Sequence, residues 1–205
     1  MTRRIVVISA GLSSPSSTRI LADQLATATD VALRARGDAA QVTTVELREL
    51  AHPLADHLVT GFPTGKLAEA IEQVRAADAL IVVTPVFSAS YSGLFKTFFD
   101  VLETNLLRGK PVLLAATAGT ARHSLVLEHA LRPLFSYLGA TTVPTGVYAA
   151  TSDFGPGADG LTRRIGRAAR ELAELTTGTR APRPTLEPEL VPFADLLAAS
   201  SGKEP

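Results

Sequence analysis

The amino-acid sequence predicts an α/β fold, a doubly wound parallel sheet with helices on both faces. Five short apolar runs, rich in β-branched residues, alternate with five segments of helical spacing, and this alternation indicates right-handed β-α-β crossovers. The first, third and fourth runs are apolar nearly throughout, as expected of strands buried on both faces. A chain of 205 residues has the length of a single domain.

The predicted elements follow one another in a regular order. The strands cover residues 5–9, 41–47, 79–84, 111–117 and 141–147. The helices are predicted from apolar residues that recur on one helical face, in residues 21–35, 66–76, 94–102, 127–138 and 161–175. Five strands with five helices favour the flavodoxin-like sheet of order 2-1-3-4-5, and the six-stranded dinucleotide-binding fold is the nearest alternative.

The C-terminal segment differs in composition from the rest of the chain. We predict one domain over residues 1–178 and a Pro-rich tail over residues 179–205, where Pro182, Pro184, Pro188 and Pro192 exclude a long helix. A disordered tail and a tail that docks on a partner subunit are both compatible with this composition.

The composition excludes several classes of function. The chain has no cysteine, which excludes a disulfide scaffold, a Cys-ligated metal cluster and a thiol nucleophile. Twenty basic residues balance twenty acidic ones, so the formal net charge is zero, and this disfavours binding to nucleic acid or to an anionic membrane surface. No apolar run approaches a membrane span and the N-terminus does not resemble a signal peptide. We therefore expect a cytoplasmic protein that binds neither nucleic acid nor membrane.

Three loops form the candidate site, because ligands of an open parallel sheet bind beyond the strand ends where the strand order reverses. The loop after the first strand contains five hydroxyl side chains ahead of the first helix: Ser13, Ser14, Ser16, Ser17 and Thr18. A helix N-terminus offers unpaired N–H groups and the positive end of the helix dipole, which suits a phosphate group. The loop has no lysine, so we expect one terminal phosphate rather than a triphosphate. The alternative is an ordinary helix cap.

The loops after the third and fourth strands suit a flat, neutral ring. Residues 79–95 carry no charge, so their backbone and hydroxyl groups could line a heteroaromatic ring, or could simply lead into the next helix with Ser92 as its cap. The small residues Ala118 and Gly119 allow a ring to approach the backbone closely, although a plain turn explains them equally well.

Other motifs are absent or incomplete. No G-x-G-x-x-G follows the first strand and no G-x-S-x-G occurs. Residues 61–67 resemble a triphosphate loop but have three residues between the glycines and Leu67 at the magnesium-binding position. His52, Asp56 and His57 could hold a metal ion from a mobile loop, but surface histidines explain them better.

Three stretches resemble the NADPH-dependent FMN reductase family of flavodoxin-like proteins, in particular the branch that supplies reduced flavin to two-component monooxygenases. They are residues 7–18, 84–96 and 118–134, and the run from Thr84 to Lys96 is the most specific. The resemblance spans about residues 5 to 150.

The resemblance implies a role for each matching residue. The FMN phosphate would be bound beside Gly11 by Ser13, Ser16, Ser17 and Thr18. The edge of the isoalloxazine would meet Pro85, Val86, Phe87, Ser88 and Ser90, with Tyr91 close by. The other side of the ring would meet Thr117, Ala118, Gly119 and Thr120.

The sequence also departs from the family pattern. Some relatives carry an arginine within the phosphate loop, where this chain has Ser17, with Arg19 two residues later. Some carry a tyrosine in the helix after the third loop, where this chain reads residues 127–133 and includes His129. That helix is a candidate for a bulge, because Pro133 lacks an N–H group.

The implied activity is hydride transfer from NADPH to FMN, with FMN and NADPH as cofactors. The flavin performs this chemistry and the protein positions it, so no acid or base of the chain is required. The resemblance further implies a homodimer or homotetramer, with residues 94–102 and the tail as candidate contact surfaces, and a flavin-dependent monooxygenase as partner.

Two alternatives to this function are a quinone, azo-dye or chromate reductase with bound FMN, and a flavodoxin-like electron carrier. The zero net charge disfavours the carrier.

Overall fold

The computed structural model describes residues 1–155 and 159–178. The predicted tail, residues 179–205, lies outside the described residues, so the proposed boundary at residue 178 stays a prediction.

The described residues form a seven-stranded sheet that is parallel except for one short strand. Its long strands run in the order β2-β1-β3-β5, and β6 and β7 both pair with the outer side of β5. The strands are β1 (Thr2–Ser9), β2 (Ala39–Glu46), β3 (Ala79–Phe87), β4 (Ser90–Tyr91), β5 (Pro111–Ala118), β6 (Thr141–Thr142) and β7 (Val147–Ala150). With β6 and β7 in the fifth position, the predicted order 2-1-3-4-5 is confirmed.

The fifth predicted strand, residues 141–147, is not continuous. The structure divides it into β6 and β7 around Pro144, which has no N–H group to donate to the sheet. The next residue, Thr145, donates its N–H group to the carboxylate of Glu171 instead, at 2.7 Å. The second half of the strand therefore begins at Val147 and extends beyond the predicted end.

Six α-helices connect and cover the strands in the described part of the chain: α1 (Ser17–Arg34), α2 (Ala51–Thr60), α3 (Gly65–Ala76), α4 (Gly93–Asp100), α5 (Arg132–Tyr137) and α6 (Asp159–Gly178). The interpretation of His52, Asp56 and His57 as part of a mobile loop is wrong, because all three lie on α2. This helix escaped detection because it buries only Leu54. Within residues 1–155 and 159–178, no helix has the length and apolar character to cross a membrane.

Alternating side chains of the central strands build two cores. Ile5 and Val7 of β1 pack with residues of α1 and α6 on one face, and Val6 and Ile8 pack with α3 and α4 on the other, since successive side chains of a strand point to opposite faces. The aromatic side chains of α4 (Phe95, Phe98 and Phe99) are at most 2% exposed. These three rings fill the core, and the contact of residues 94–102 with a partner subunit stays a prediction.

The predicted bulge ahead of Pro133 is confirmed. Residues Leu127–Leu131 form a π-helical turn that leads into α5, and the N–H group of Arg132 reaches back to the carbonyl of Leu127, five residues earlier. The wider turn agrees with the missing N–H group of Pro133, which cannot continue the α-helical ladder.

Candidate functional site

The three candidate loops meet in one cleft of ≈ 350 Å³ at the carboxyl edge of the sheet. The cleft is lined by Ser13, Ser16, Ser17 and Thr18 from the first loop, by Pro85, Val86 and Phe87 from the second, and by Thr117, Ala118 and Gly119 from the third. Leu12 and Thr151 complete the lining and were not among the predicted residues. The sheet topology thus brings together residues more than one hundred positions apart in the chain.

The remaining predicted residues do not line the cleft but shape its loops. Ser90 and Tyr91 form β4, which pairs with Phe87 and Val86, and Ser88 lies in the turn between these strands. The side chain of Thr120 accepts the N–H group of Arg122 in the following turn. Gly11 is buried beneath the first loop.

Four of the five hydroxyl groups of the first loop divide into two pairs, and Ser14 is exposed outside the lining of the cleft. Ser16 is the N-cap of α1 and accepts the N–H group of Arg19 at 3.3 Å. The hydroxyl of Thr18 is buried and lies 2.8 Å from that of Thr117, so it joins the first loop to the third. Ser13 and Ser17 are exposed and line the cleft. These two hydroxyls, with the N–H groups of the first helical turn, are therefore the groups best placed to meet an anion.

Gly11 permits the tight packing of this loop. A Cβ atom at this position would lie 2.1 Å from the Oγ of Ser16 and 3.1 Å from the Cβ of Thr18. Any larger residue would displace the capping serine and the threonine that joins the two loops.

The second loop is a tight hairpin that forces two non-glycine residues into the left-handed region. Ser88 and Ala89 have φ angles of 48° and 64°, which side chains with a Cβ adopt at a cost. Thr84 stabilises the base of this hairpin, because its hydroxyl donates to the carbonyl of Pro85 at 2.9 Å and accepts the N–H group of Ser92 at 3.0 Å. The hairpin presents Phe87 at the cleft, with its side chain about half exposed.

A second positive charge next to the first loop belongs to Arg48. Arg19, the residue considered from sequence, is held by Asp23 and Glu46. The hydrogen bond to Asp23 is the largest of the effects that raise the pKa of the Arg19 guanidinium, and desolvation by burial lowers it. Arg48 follows β2, and one guanidinium nitrogen lies 3.5 Å from the carbonyl of Ser13. Its Nε also lies 3.6 Å from the carboxylate of Glu46, which Arg48 shares with Arg19. Sequence reasoning missed it, although the order 2-1-3 places the end of β2 next to the loop that follows β1.

Of the described residues that line the cleft, none has an acidic, basic, histidine or tyrosine side chain. His123 and His129 are exposed and outside the lining. Within residues 1–155 and 159–178 no cluster of three or more His, Asp or Glu residues could hold a metal ion. The cleft therefore offers hydroxyls and a helix N-terminus at one end and neutral, flat surfaces at the other, which fits a phosphate and an uncharged ring system such as those of FMN.

Comparison with known proteins agrees with this geometry. The model of the NADPH-dependent FMN reductase family matches residues 3–155. The chain belongs to this family. It is an NAD(P)H-dependent FMN reductase, an oxidoreductase that uses FMN and a nicotinamide nucleotide, and the resemblance inferred from the three loops is confirmed.

Similar FMN reductases differ in the nucleotide that they use. The chain is 39% identical over 178 residues to an FMN reductase (NADPH) of Pseudomonas aeruginosa, and the aligned region covers 85% of this chain and 93% of that protein. It is 40% identical over 178 residues to the NADH-dependent FMN reductase SfnE of Pseudomonas putida, with coverages of 83% and 91%. Among solved structures, an oxidoreductase from Corynebacterium diphtheriae superposes with a TM-score of 0.83 at 55% identity, over 86% of this chain and 97% of that one.

Proposed function

We propose that this FMN reductase uses FMN as an exchangeable substrate, takes hydride from NADPH in the cytoplasm, and supplies the reduced flavin to a flavin-dependent monooxygenase. The observation that carries the proposal is the uncharged cleft that begins at a hydroxyl-rich helix N-terminus. When bound, FMN itself supplies the two-electron acceptor chemistry. The chain contributes position rather than proton transfer, because the lining contains no acid or base.

The two ends of the cleft have different roles in this proposal. Ser13, Ser17 and the first-turn N–H groups of α1 bind the phosphate, and Arg48 compensates its charge. Ser16 and Thr18 hold the loop in shape through the cap and the contact with Thr117. Residues 85–87 and residues 117–119 receive the two sides of the ring.

The activity is tested with the purified full chain, FMN in increasing concentration, and NADPH or NADH. We expect oxidation of the nucleotide that requires added FMN, saturates with it, and is faster with NADPH. In an anaerobic dialysis cell, reduced FMN should appear in the chamber without protein. No oxidation of either nucleotide would contradict an FMN reductase. Oxidation without added FMN, by protein that keeps its flavin through gel filtration, would contradict exchangeable flavin and favour a reductase with bound FMN.

The phosphate assignment predicts a loss of FMN affinity in two variants. Ser17→Ala and Arg48→Gln should each raise the dissociation constant for FMN about three- to tenfold, because each removes a hydrogen bond or an ion pair to the phosphate. Their affinity for riboflavin, which lacks the phosphate, should stay unchanged in fluorescence titrations.

The matched control for these variants is Thr27→Ala, which removes an exposed hydroxyl from the same helix far from its N-terminus. It should bind FMN like the wild type. Equal weakening of FMN and riboflavin binding would contradict a phosphate site at Ser17 and Arg48.

We also propose that the chain forms a homodimer or homotetramer. Support comes from large apolar side chains that are more than half exposed on the described surface, among them Val59, Phe62 and Leu125. Light scattering of the full chain after size-exclusion chromatography tests this proposal, and a monomeric mass would overturn it.

A further inference from the structure

Tyr148 of β7 holds the backbone of the third loop from behind the cleft. Its side chain is nearly buried, at 7% exposure, within the core on the α3 and α4 side of the sheet. Its hydroxyl donates to the carbonyl of Thr120 at 2.5 Å. The phenol therefore fixes the backbone carbonyl that comes just after residues 117–119, which line the cleft.

The third loop is thus anchored at both ends. At its start, Thr117 contacts Thr18 of the first loop, with 2.8 Å between the hydroxyl oxygens. At its end, Tyr148 fixes the carbonyl of Thr120, and because a trans peptide is planar, this also fixes the orientation of the following N–H group. Between the two anchors, a Cβ at Gly119 would meet no atom within 4 Å, so the loop leaves open space beside it at the cleft.

The strand that carries Tyr148 is itself held in place. Arg164 of α6 donates to the carbonyl of Tyr148 at 3.2 Å, and Asp153 accepts the N–H group of Ala150 at 2.9 Å. Burial raises the pKa of the Tyr148 phenol above its usual value, and the backbone of His123 acts in the opposite direction. The hydroxyl therefore keeps its proton and remains a donor at neutral pH.

We propose that Tyr148 is a positioning residue of the flavin site: its hydroxyl holds the loop of residues 117–120 in the shape that receives the isoalloxazine ring. Tyr148 does not line the cleft, so it acts through the backbone of Thr120. The inference rests on the proposed function, in which this loop meets one side of the ring.

The test compares Tyr148→Phe with Tyr137→Phe in the full chain. Tyr137 is 89% exposed, so the control removes a phenol hydroxyl without changing the loop. For Tyr148→Phe we expect the KM and the dissociation constant for FMN to rise about three- to tenfold, which corresponds to the loss of one hydrogen bond. The dissociation constant for riboflavin should rise by the same factor, because the variant affects the contacts of the ring and not those of the phosphate. The kcat at saturating FMN and the KM for NADPH should change less than twofold.

The outcomes separate the inference from the proposed function. A wild type that does not bind FMN would contradict the proposed function. A wild type that binds FMN, with unchanged FMN affinity in Tyr148→Phe, would overturn only the inference. Failure of Tyr148→Phe to fold, or a loss of thermal stability with unchanged FMN affinity, would also overturn it, because the hydroxyl would then support the core rather than the loop.

Discussion

Small residues and hydroxyls at the cleft serve two different purposes, and the structure separates them. Ser16, Thr18 and Gly11 hold the first loop together, whereas Ser13 and Ser17 face outward at the cleft. The sequence showed a cluster of hydroxyls without this division, because a serine that caps a helix and a serine that binds a ligand at the helix start occupy the same positions in the sequence pattern.

At this scale we predict the effect of Gly11→Ala. The added Cβ must displace Ser16 or Thr18, so the KM for FMN should rise at least about tenfold, since even small displacements of a binding loop are costly. The measurement is steady-state kinetics with FMN varied. Gly166→Ala is the control, because its Cβ would meet only the flexible end of Arg170 at 3.6 Å; it should slightly stabilise α6 and leave the KM unchanged. An unaltered KM in Gly11→Ala would contradict the role of the tight loop.

Among the elements, the π turn and α5 are joined to the broken fifth strand by one side chain. Arg132 pairs with Glu128 at 2.6 Å and also donates to the hydroxyl of Thr142 and the carbonyls of Val143 and Pro144. The guanidinium thereby satisfies the carbonyl groups that the gap between β6 and β7 leaves without sheet partners.

This pair predicts a pH dependence of stability. The hydrogen bond from Arg132 lowers the pKa of the Glu128 carboxyl, against desolvation. Because the folded pKa lies below the unfolded one, the stabilisation is fully present above the unfolded value, 4.5, and is lost as the pH falls through the folded pKa. Glu128→Gln should therefore lower Tm by a few degrees at most at pH 7, since Glu128 is half exposed.

The difference in Tm between Glu128→Gln and the wild type should vanish in acid, below the folded pKa of Glu128. Calorimetric scans across this pH range measure it. If the difference in Tm stayed constant with pH, the glutamine side chain would disturb the turn for a reason other than the lost charge, and the prediction would be contradicted.

Prediction from sequence succeeded for elements with strong apolar periodicity and failed where tertiary contacts decide. β1, β3 and β5 are buried on both faces and were found in the right order. α2 was missed because it has a single buried residue, and the hairpin of Ser88 and Ala89 lacks the glycine or asparagine that normally indicates such a turn.

For the whole molecule, the sheet makes one site from three distant segments, so a ligand that spans the cleft should stabilise the entire fold. At a concentration 100 times its dissociation constant, FMN should stabilise the folded state by about 2.7 kcal/mol, which corresponds to a rise in Tm of about 5 to 10 °C for a domain of this size. Differential scanning fluorimetry measures the shift. Riboflavin at the same concentration should give a smaller shift, because it does not reach the hydroxyls at the start of α1; equal shifts would contradict the phosphate end of the site.

The sequence by itself determined the fold class and the three loops, because burial on both faces of a sheet and a hydroxyl-rich helix start are local, periodic signals. The family was identified from the resemblance of three stretches in these loops. Only the tertiary structure decided which residues of these loops face the cleft, that Arg48 as well as Arg19 lies beside the first loop, and that Tyr148 bonds the third loop from behind. The physical reason is that these relations join strands far apart in the chain. Which atoms meet across the end of a parallel sheet depends on register, twist and packing that no local pattern encodes.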